Sequence, residues 1–220
     1  MIQDGIVLID KPRGMSSFGV VARIRRVLSE AAGKKVKVGH TGTLDPFATG
    51  LLILVVGKEC RNAQSYSGLS KVYQATAVLG STSTTLDPEG EISVTSEAQP
   101  SLDEVQVAVR NFEGKITQTP PVFSALKVGG KRAYKLAREG KSFEMPSRQV
   151  VIDYIKVLDY SYPHIRFEAS VSSGTYIRTL VGDIGDALDV GAYCSELKRI
   201  SVGEYNLSDA KQLSDYGVSD

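Results

Sequence analysis

The stretch VGHTGTLDPFATGLLILVV, residues 38–56, decides the fold because it delivers one carboxylate, Asp45, to the foot of an apolar strand. Its last six residues, 51–56, are all apolar and predict a fully buried strand. Pro46 disfavours the α region for Asp45 and favours extended backbone there. A polar turn with an exposed Asp is the alternative interpretation of this stretch. Three glycines are expected to adopt dihedrals closed to other residues, or to allow close approach of a ligand: Gly39, Gly42 and Gly50.

The composition is that of a water-soluble globular protein, because 42% of the 220 residues are hydrophobic and 23% are charged. No run approaches the roughly 18 apolar residues that a membrane span needs, and we expect no signal peptide before residue 5. Cys60 and Cys194 match no metal or redox spacing, so we expect reduced thiols in a cytoplasmic protein. With only His40 and His164 available, we expect no histidine-rich metal site.

The net charge of +1 conceals a segregated distribution of charges. Residues 11–39 hold eight Lys or Arg against one acid, and residues 121–148 hold seven against two. Residues 82–113 reverse this balance, with seven acids and one Arg. Such segregation fits a basic face for nucleic acid with an acidic face behind it. Two ordinary solvated faces would produce the same pattern.

The hydrophobic patterns alternate irregularly between strand and helix. Long alternating runs at 148–160 and 165–173 predict neighbouring antiparallel strands. Ser101 and Glu104 form a capping-box sequence, which predicts a helix through residue 111. We therefore favour an α+β fold with a mixed or antiparallel central sheet flanked by helices. Further strands are predicted at 5–10, 71–79, 91–95, 115–118 and 194–200, and further helices at 18–30, 59–66, 133–139 and 176–188.

One long segment, TPPVFSALKVGGKRAYKLAREG at residues 119–140, interrupts this pattern. Its paired prolines and paired glycines are expected to break regular structure outside one short helix. A basic excursion of this length is more often a functional loop than part of the core. We therefore predict a single catalytic body, residues 1–220, from which an insertion of about 120–148 projects.

Four stretches match, in order, the successive motifs of one family: KPRGMSS (11–17), GHTGTLDPFATGLL (39–52), KVYQATAVLG (71–80) and SSGTYIRTL (172–180). The chain therefore resembles the bacterial TruB-type tRNA pseudouridine synthases over nearly its whole length. The segment 120–140 also resembles the thumb of that family, which its guide-dependent archaeal and eukaryotic relatives lack, so the resemblance favours a stand-alone enzyme.

The resemblance implies that the protein flips uridine 55 out of the T loop of tRNA and isomerises it to pseudouridine. The glycosidic bond breaks, the base rotates and a carbon–carbon bond forms to the same ribose, so neither a cofactor nor a metal is implied. The implied partner is tRNA, bound by its T arm, and we expect a monomer that needs no protein partner and no membrane. The alternative is a catalytically idle module on the same fold that binds or folds tRNA.

The resemblance assigns three residues to catalysis. Asp45 falls on the catalytic Asp, the nucleophile, with attack at sugar C1′ or at base C6 left open. Arg178 falls on the Arg that pairs with this carboxylate, where a cation opposes the rise in pKa that burial causes. Tyr73 falls on the Tyr that stacks on the target uracil. Without the resemblance, Arg178 would be a surface helix arginine and Tyr73 a half-buried strand tyrosine.

Further positions match residues that bind the substrate. His40 falls on the His that inserts where the flipped base was, although a solvated loop His is the simpler alternative. Tyr176 and Leu197 correspond to residues lining the uridine pocket, with core packing as the alternative for Leu197. Lys11 either supports the active-site loop or contacts phosphate. The thumb offers five candidates for phosphate contacts: Lys127, Lys131, Arg132, Lys135 and Arg138.

Two features depart from the family pattern. Members usually continue into a small RNA-binding PUA domain, for which residues 211–220 are too short. We therefore expect that domain to be absent from these 220 residues, in a shortened chain or a short natural form. The stretch GSTSTTLDPEG (80–90) carries one acid, Asp87, before its turn, where we expect relatives to hold more. This weakens any role for residues 82–85.

Overall fold

The computed structural model describes residues 4–218. Its strands are β1 (Gly5–Lys11), β2 (Val38–His40), β3 (Thr49–Val56), β4 (Lys71–Leu79), β5 (Ser81–Ser83), β6 (Ile92–Val94), β7 (Gly114–Gln118), β8 (Lys127–Val128), β9 (Lys131–Arg132), β10 (Arg148–Ser161), β11 (His164–Val171), β12 (Ala192–Val202) and β13 (Tyr205–Asn206). Its α-helices are α1 (Ser17–Ala32), α2 (Ala63–Ser67), α3 (Leu102–Arg110), α4 (Ala133–Arg138) and α5 (Ile177–Ala187). Within the described residues, none of these helices is long and apolar enough to cross a membrane.

The chain forms two compact units. The first unit comprises Met1–Tyr73 and Lys198–Asp220, and the second unit comprises Gln74–Leu197. Both boundaries fall inside regular strands, β4 and β12. Because the boundaries lie within strands, no change in amino-acid composition marks them in the sequence.

The main sheet has the strand order β1-β3-β12-β4-β11-β10-β7, with β2 beside β3 and β13 beside β12. β1 pairs antiparallel with β3, from Gly5 opposite Val56 to Lys11 opposite Gly50. β12 pairs with β3 in parallel. The sheet is therefore mixed, and the predicted α+β fold is confirmed.

Strand β3 forms the core of the first unit, and the prediction of a buried strand after the Asp45 loop is confirmed. All of its residues from Gly50 to Val56 are buried. Helix α1 begins after Ser16, whose hydroxyl accepts a hydrogen bond from the Gly19 amide at 3.0 Å. Its apolar face then buries Val20, Val21, Ile24 and Leu28.

Of the three glycines around Asp45, only Gly50, near the start of β3, has a positive φ, at 97°. Gly39 and Gly42 do not have a positive φ, so close approach of a ligand is the alternative that remains for them. A Cβ atom on Gly50 would lie 2.4 Å from the carbonyl oxygen of Arg199, its parallel partner on β12. Only glycine allows this approach of the two strands.

The second unit contains the long antiparallel pair that the sequence predicts, since β10 and β11 pair along their length up to Ser161 opposite His164. The predicted capping box of α3 is also present. The Ser101 amide donates to Glu104 Oε2 at 2.7 Å, and the Glu104 amide donates to Ser101 Oγ at 3.3 Å. Local patterns therefore predict these elements well.

Two local predictions are wrong. The Gly129–Gly130 pair does not break regular structure but turns the hairpin of β8 and β9, with φ values of 55° and 82°. A positive φ at both residues is what a type I′ hairpin turn needs. The helix predicted at 59–66 is divided into a 3₁₀ segment, Gly57–Asn62, and the short helix α2.

Candidate active site

Asp45 lies on an irregular loop of the first unit, between β2 and β3, and is partly buried. Its carbonyl accepts a hydrogen bond from the Ala48 amide at 3.1 Å, which closes a turn around Pro46. Leu44 and Phe47, on either side of this turn, are 3% and 4% exposed. The loop is therefore anchored in the core around a carboxylate that stays partly accessible.

Ser17 holds the residue immediately before Asp45. Its hydroxyl accepts a hydrogen bond from the Leu44 amide and donates one to the Leu44 carbonyl, both at 2.8 Å. A hydroxyl is able to do both because it carries one donor and two acceptor sites. Ser17 is buried, so water does not compete for these bonds.

Lys11 holds the residue immediately after Asp45. Its ammonium donates to the Pro46 carbonyl at 3.3 Å, and also to the carbonyls of Pro12 at 2.8 Å and Met15 at 2.6 Å. Lys11 has no exposed surface. Of its two predicted roles, these contacts favour support of the loop, since a phosphate contact needs an accessible ammonium.

Tyr73 and His40 also belong to the first unit. Tyr73 lies on β4 and is 8% exposed, so it is more deeply buried than the half-buried tyrosine that its strand pattern alone predicts. His40 ends β2 opposite the buried Leu54 of β3 and is partly exposed. Its backbone is therefore fixed by the sheet directly before the Asp45 loop.

Arg178 lies at the start of α5 in the second unit and is 3% exposed, so the alternative of a surface arginine is wrong. Its Nη1 lies 2.9 Å from Oδ2 of Asp87 and 2.7 Å from the Thr85 carbonyl. Its Nη2 donates to the Phe123 carbonyl at 2.8 Å. The guanidinium is thus fixed by two further segments of the chain.

Asp87 is the residue of this cluster that the sequence interpretation missed. Its second oxygen accepts hydrogen bonds from Thr85 Oγ1 at 2.5 Å and from the Glu89 amide at 3.0 Å. Thr85 therefore helps to hold the Arg178–Asp87 pair. The sequence interpretation gave residues 82–85 little weight, because the stretch around them contains few acids. An Asp before a proline, preceded by hydroxyl residues, was the available signal, but it also describes an ordinary turn.

Gln118 fixes Tyr176, which precedes α5 as its N-cap residue. The Gln118 side chain accepts from the Tyr176 amide at 2.8 Å and donates to the Tyr176 carbonyl at 3.0 Å, and it is 1% exposed. The guanidinium of Arg148 lies 4.9 Å from the centre of the Tyr176 ring, a cation–π contact. Leu197, on β12, is buried, as both of its predicted roles require.

The thumb presents its basic residues on a small hairpin and a short helix. β8 and β9 place Lys127 opposite Arg132 and Val128 opposite Lys131. Because directly opposed residues lie on the same face, Lys127 and Arg132 share one face and Lys131 lies on the other. All five predicted phosphate-contact candidates are exposed: Lys127, Lys131, Arg132, Lys135 and Arg138.

The described part of the chain contains no group of three or more His, Cys, Asp or Glu side chains placed to hold a metal ion.

Comparison with known proteins identifies the relatives of this chain. The model of the TruB family pseudouridylate synthase N-terminal domain matches residues 25–177. A protein of Aquifex aeolicus named tRNA pseudouridine synthase B is 40% identical over 215 residues, covering 97% of this chain and 73% of its own. One of the same name from Phocaeicola vulgatus is 42% identical over 213 residues, covering 96% and 91%.

Solved structures support the same relationship. A chain in the crystal structure of a Cbf5–Nop10–Gar1 complex matches with a TM-score of 0.73 and 31% identity, over 97% of this chain and 53% of that one. A chain in the structure of an H/ACA RNP bound to a substrate RNA containing 2′-deoxyuridine matches with a TM-score of 0.72 and 29% identity, over 97% and 52%. The present chain thus spans about half the length of these solved chains.

Proposed function

Since this chain belongs to the TruB family of pseudouridylate synthases, we propose that it isomerises uridine 55 in the T loop of tRNA to pseudouridine. The curated relatives of this chain carry the name tRNA pseudouridine synthase B, which supports tRNA as the substrate. The T loop and position 55 come from the motifs that the chain shares with the family.

The observation that carries the proposal is the support of Asp45 from both sides. The buried side chain of Ser17 bonds the residue before it, and the buried ammonium of Lys11 bonds the residue after it. The carboxylate itself is partly exposed. A productive attack requires a nucleophile in one orientation. A carboxylate that is already held in position, yet reachable, loses little further freedom when it attacks.

The proposed reaction conserves every atom of the nucleotide. Asp45 acts as the nucleophile while the bond between N1 of uracil and C1′ of ribose breaks. The base then rotates, C5 bonds to C1′, and the bond that Asp45 formed to the nucleotide breaks, which restores the carboxylate. The proton lost from C5 balances the one gained at N1. Tyr73 stacks on the uracil and assists loss of the C5 proton. We retain for Arg178 the family's role as the cation assigned to the catalytic carboxylate, with Asp87 holding that cation in place.

Substrate binding is proposed to use residues that range from exposed to buried. His40 inserts into the space left by the flipped base, and Tyr176 and Leu197 line the uridine pocket. The exposed thumb cations contact backbone phosphates of the T arm, which gives affinity rather than sequence selection. We further propose a cytoplasmic monomer that works without a protein partner, unlike the solved Cbf5, which was crystallised with Nop10 and Gar1.

The test is tritium release from tRNA labelled at C5 of uridine, with purified chain as the only protein. We expect release of one equivalent per tRNA, mapped to position 55, and none from a transcript with cytidine at 55. Asp45→Asn is expected to lose at least about 10³-fold in rate while keeping tRNA affinity. Asp209→Asn, an exposed aspartate, is the matched control and keeps full turnover. Undiminished turnover by Asp45→Asn would exclude Asp45 as the nucleophile.

The same experiment separates the enzyme from an idle tRNA-binding module. The exposed thumb cations account for binding, but they leave the fixed Asp45 loop and the buried Arg178–Asp87 pair without a purpose. Wild-type protein that binds and refolds tRNA without releasing tritium would identify the idle module instead.

A further inference from the structure

Arg199, on β12 in the first unit, has one of the largest side chains buried in this protein, at 2% exposure. Its Nε donates to the Leu51 carbonyl at 2.7 Å, and its Nη2 donates to the Gly42 carbonyl at 3.2 Å. Gly42 precedes Asp45 and Leu51 follows it. One guanidinium therefore ties together the two ends of the loop that carries the carboxylate.

The backbone of Arg199 reinforces this connection. Arg199 pairs in parallel with Gly50, where the two strands approach so closely that a Cβ atom on Gly50 would lie 2.8 Å from the Arg199 nitrogen. The side chain and the main chain of one residue thus hold Gly42 in the loop, and Gly50 and Leu51 at the start of the strand that follows it. A displacement of Arg199 would therefore move both ends of the loop together.

Burying a guanidinium in this place is costly, since its two hydrogen bonds go to neutral carbonyls. A second buried cation, Lys71, lies in the same unit, where burial and then the charge of Arg199 lower its pKa from 10.5 to about 8. An apolar side chain of similar length would fill the space without a buried charge, and would lose only the two bonds to the Gly42 and Leu51 carbonyls. The arrangement is better explained by geometry at the loop than by a gain in stability.

We propose that Arg199 is a positioning residue for the reaction: it holds the loop of Asp45 so that the carboxylate meets the nucleotide in a productive orientation. This inference rests on the proposed function. Arg199 itself touches neither substrate nor reacting atoms in this scheme. Its effect is transmitted through the backbone at Gly42 and Leu51, on which the position of Asp45 depends.

The deciding variant is Arg199→Met, which keeps the length of the side chain and removes the buried charge. A purely structural role predicts lost stability with an unchanged chemical step. The positioning role predicts a single-turnover rate at saturating tRNA reduced about 100-fold, the scale expected for a misplacement of about 1 Å. It also predicts tRNA affinity close to wild type, with a lower urea midpoint because the Gly42 and Leu51 carbonyls lose their donor. Arg199→Lys keeps one of the two carbonyl bonds and is expected to recover part of the rate.

A matched control is Lys198→Met on the same strand, because Lys198 is exposed and its neighbour on β3 is Thr49. Its single-turnover rate at saturating tRNA should equal that of wild type. If Arg199→Met does not fold, Arg199→Lys alone carries the test, and a rate within twofold of wild type overturns the inference. An Arg199→Met enzyme with wild-type turnover overturns it as well.

Hydrogen exchange of free protein separates this inference from the proposed function. Loss of the Arg199 bonds is expected to speed exchange of the Leu44 and Ala48 amides at least tenfold relative to amides of β1. If wild-type protein is inactive and Arg199→Met shows the faster loop exchange, the proposed function is refuted, but Arg199 remains the support of the loop. Active wild-type protein with unchanged loop exchange and rate in Arg199→Met would refute the positioning role alone.

Discussion

Arg178 and Asp87 form an ion pair that is withdrawn from solvent, with Nη1 and Oδ2 2.9 Å apart and side-chain exposures of 3% and 5%. Each of the two side chains also has hydrogen-bond partners outside the pair. Asp87 also accepts from Thr85 and from the Glu89 amide, and Arg178 also donates to the carbonyls of Thr85 and Phe123. The pair therefore joins α5 to the loop after β5 and to the first residues of the thumb.

Replacing one member of this pair leaves the other as an uncompensated buried charge. We expect Asp87→Asn to lower the free energy of unfolding by about 3 kcal/mol, as for other buried pairs that lose one partner. Turnover is expected to fall about 100-fold, because the guanidinium loses the contact that orients it. Urea unfolding and tritium release measure the two effects. Asp159→Asn, an exposed aspartate, should change neither.

The double variant Asp87→Leu with Arg178→Met separates stability from chemistry. Because no charge remains to be buried, its unfolding free energy is expected to return to within about 1 kcal/mol of wild type. Its turnover should stay at the level of Arg178→Met alone. Recovery of turnover in the double variant would contradict a catalytic role for Arg178.

Gln118 offers a second test, because it bonds both backbone groups of Tyr176. Gln118→Leu leaves a buried amide and a buried carbonyl without these partners, which is expected to cost about 1–3 kcal/mol of stability. Turnover should fall with it, since Arg178 follows two residues later on α5. Gln149→Leu, at an exposed position of β10, is the control and should be neutral. An unchanged unfolding free energy for Gln118→Leu would show that the start of α5 is held by other contacts.

Asp183, on α5, gives a pH-dependent prediction. Burial, and then the nearby charge of Asp186, raise the pKa of its carboxyl from 3.8 to about 6. The folded state therefore favours the protonated acid, and this contribution to stability is complete below about pH 4 and is lost as the pH rises through 6. We expect Asp183→Asn to be more stable than wild type by about 1 kcal/mol at pH 7.5, after allowance for solvent screening, and equal to it near pH 4. Urea unfolding at both pH values tests this, and a difference that does not vary with pH would contradict it.

How far the sequence predicts the structure depends on the range of the interaction. The capping box of α3 and the strand β4 were predicted at their observed positions because their signals lie within a few neighbouring residues. The parallel pairing of Arg199 with Gly50 joins residues far apart in the chain, so no local pattern reveals it. The support that Arg199 gives to the Asp45 loop was missed for the same reason.

Other misses came from signals that have two meanings. Gly129 and Gly130 are able either to interrupt structure or to turn a hairpin, and the pairing of their flanking residues decides between these outcomes. An Asp before a proline, as at Asp87, is typical of a turn. The same pattern occurs whether the carboxylate faces solvent or pairs with a buried arginine such as Arg178. For Lys11, the two predicted roles were support of the loop and contact with phosphate. Burial of the ammonium decides between them, and burial depends on the packed structure.

The thumb hairpin provides the last prediction, which concerns the face that meets RNA. Lys127 and Arg132 lie directly opposite each other on one face, where two like charges repel unless an anion lies between them. On the other face, Lys131 is one of the cations near Glu139, whose pKa is lowered first by Lys141 and further by Lys131 and Lys135. We therefore expect phosphate to bind on the face of Lys127.

Lys127→Gln is expected to weaken tRNA binding several-fold at low salt and to reduce the dependence of log Kd on log salt by about 0.7–0.9, the contribution of one phosphate contact. The single-turnover rate at saturating tRNA should not change, since phosphate contacts position the RNA without taking part in the chemistry. Lys131→Gln is the matched control, with the same charge change in the same exposed hairpin, and is expected to have a smaller effect. Filter binding between about 50 and 200 mM salt measures both variants. A larger effect for Lys131→Gln would place the RNA on the opposite face of the hairpin, and equal small effects would show that the hairpin does not contact phosphate.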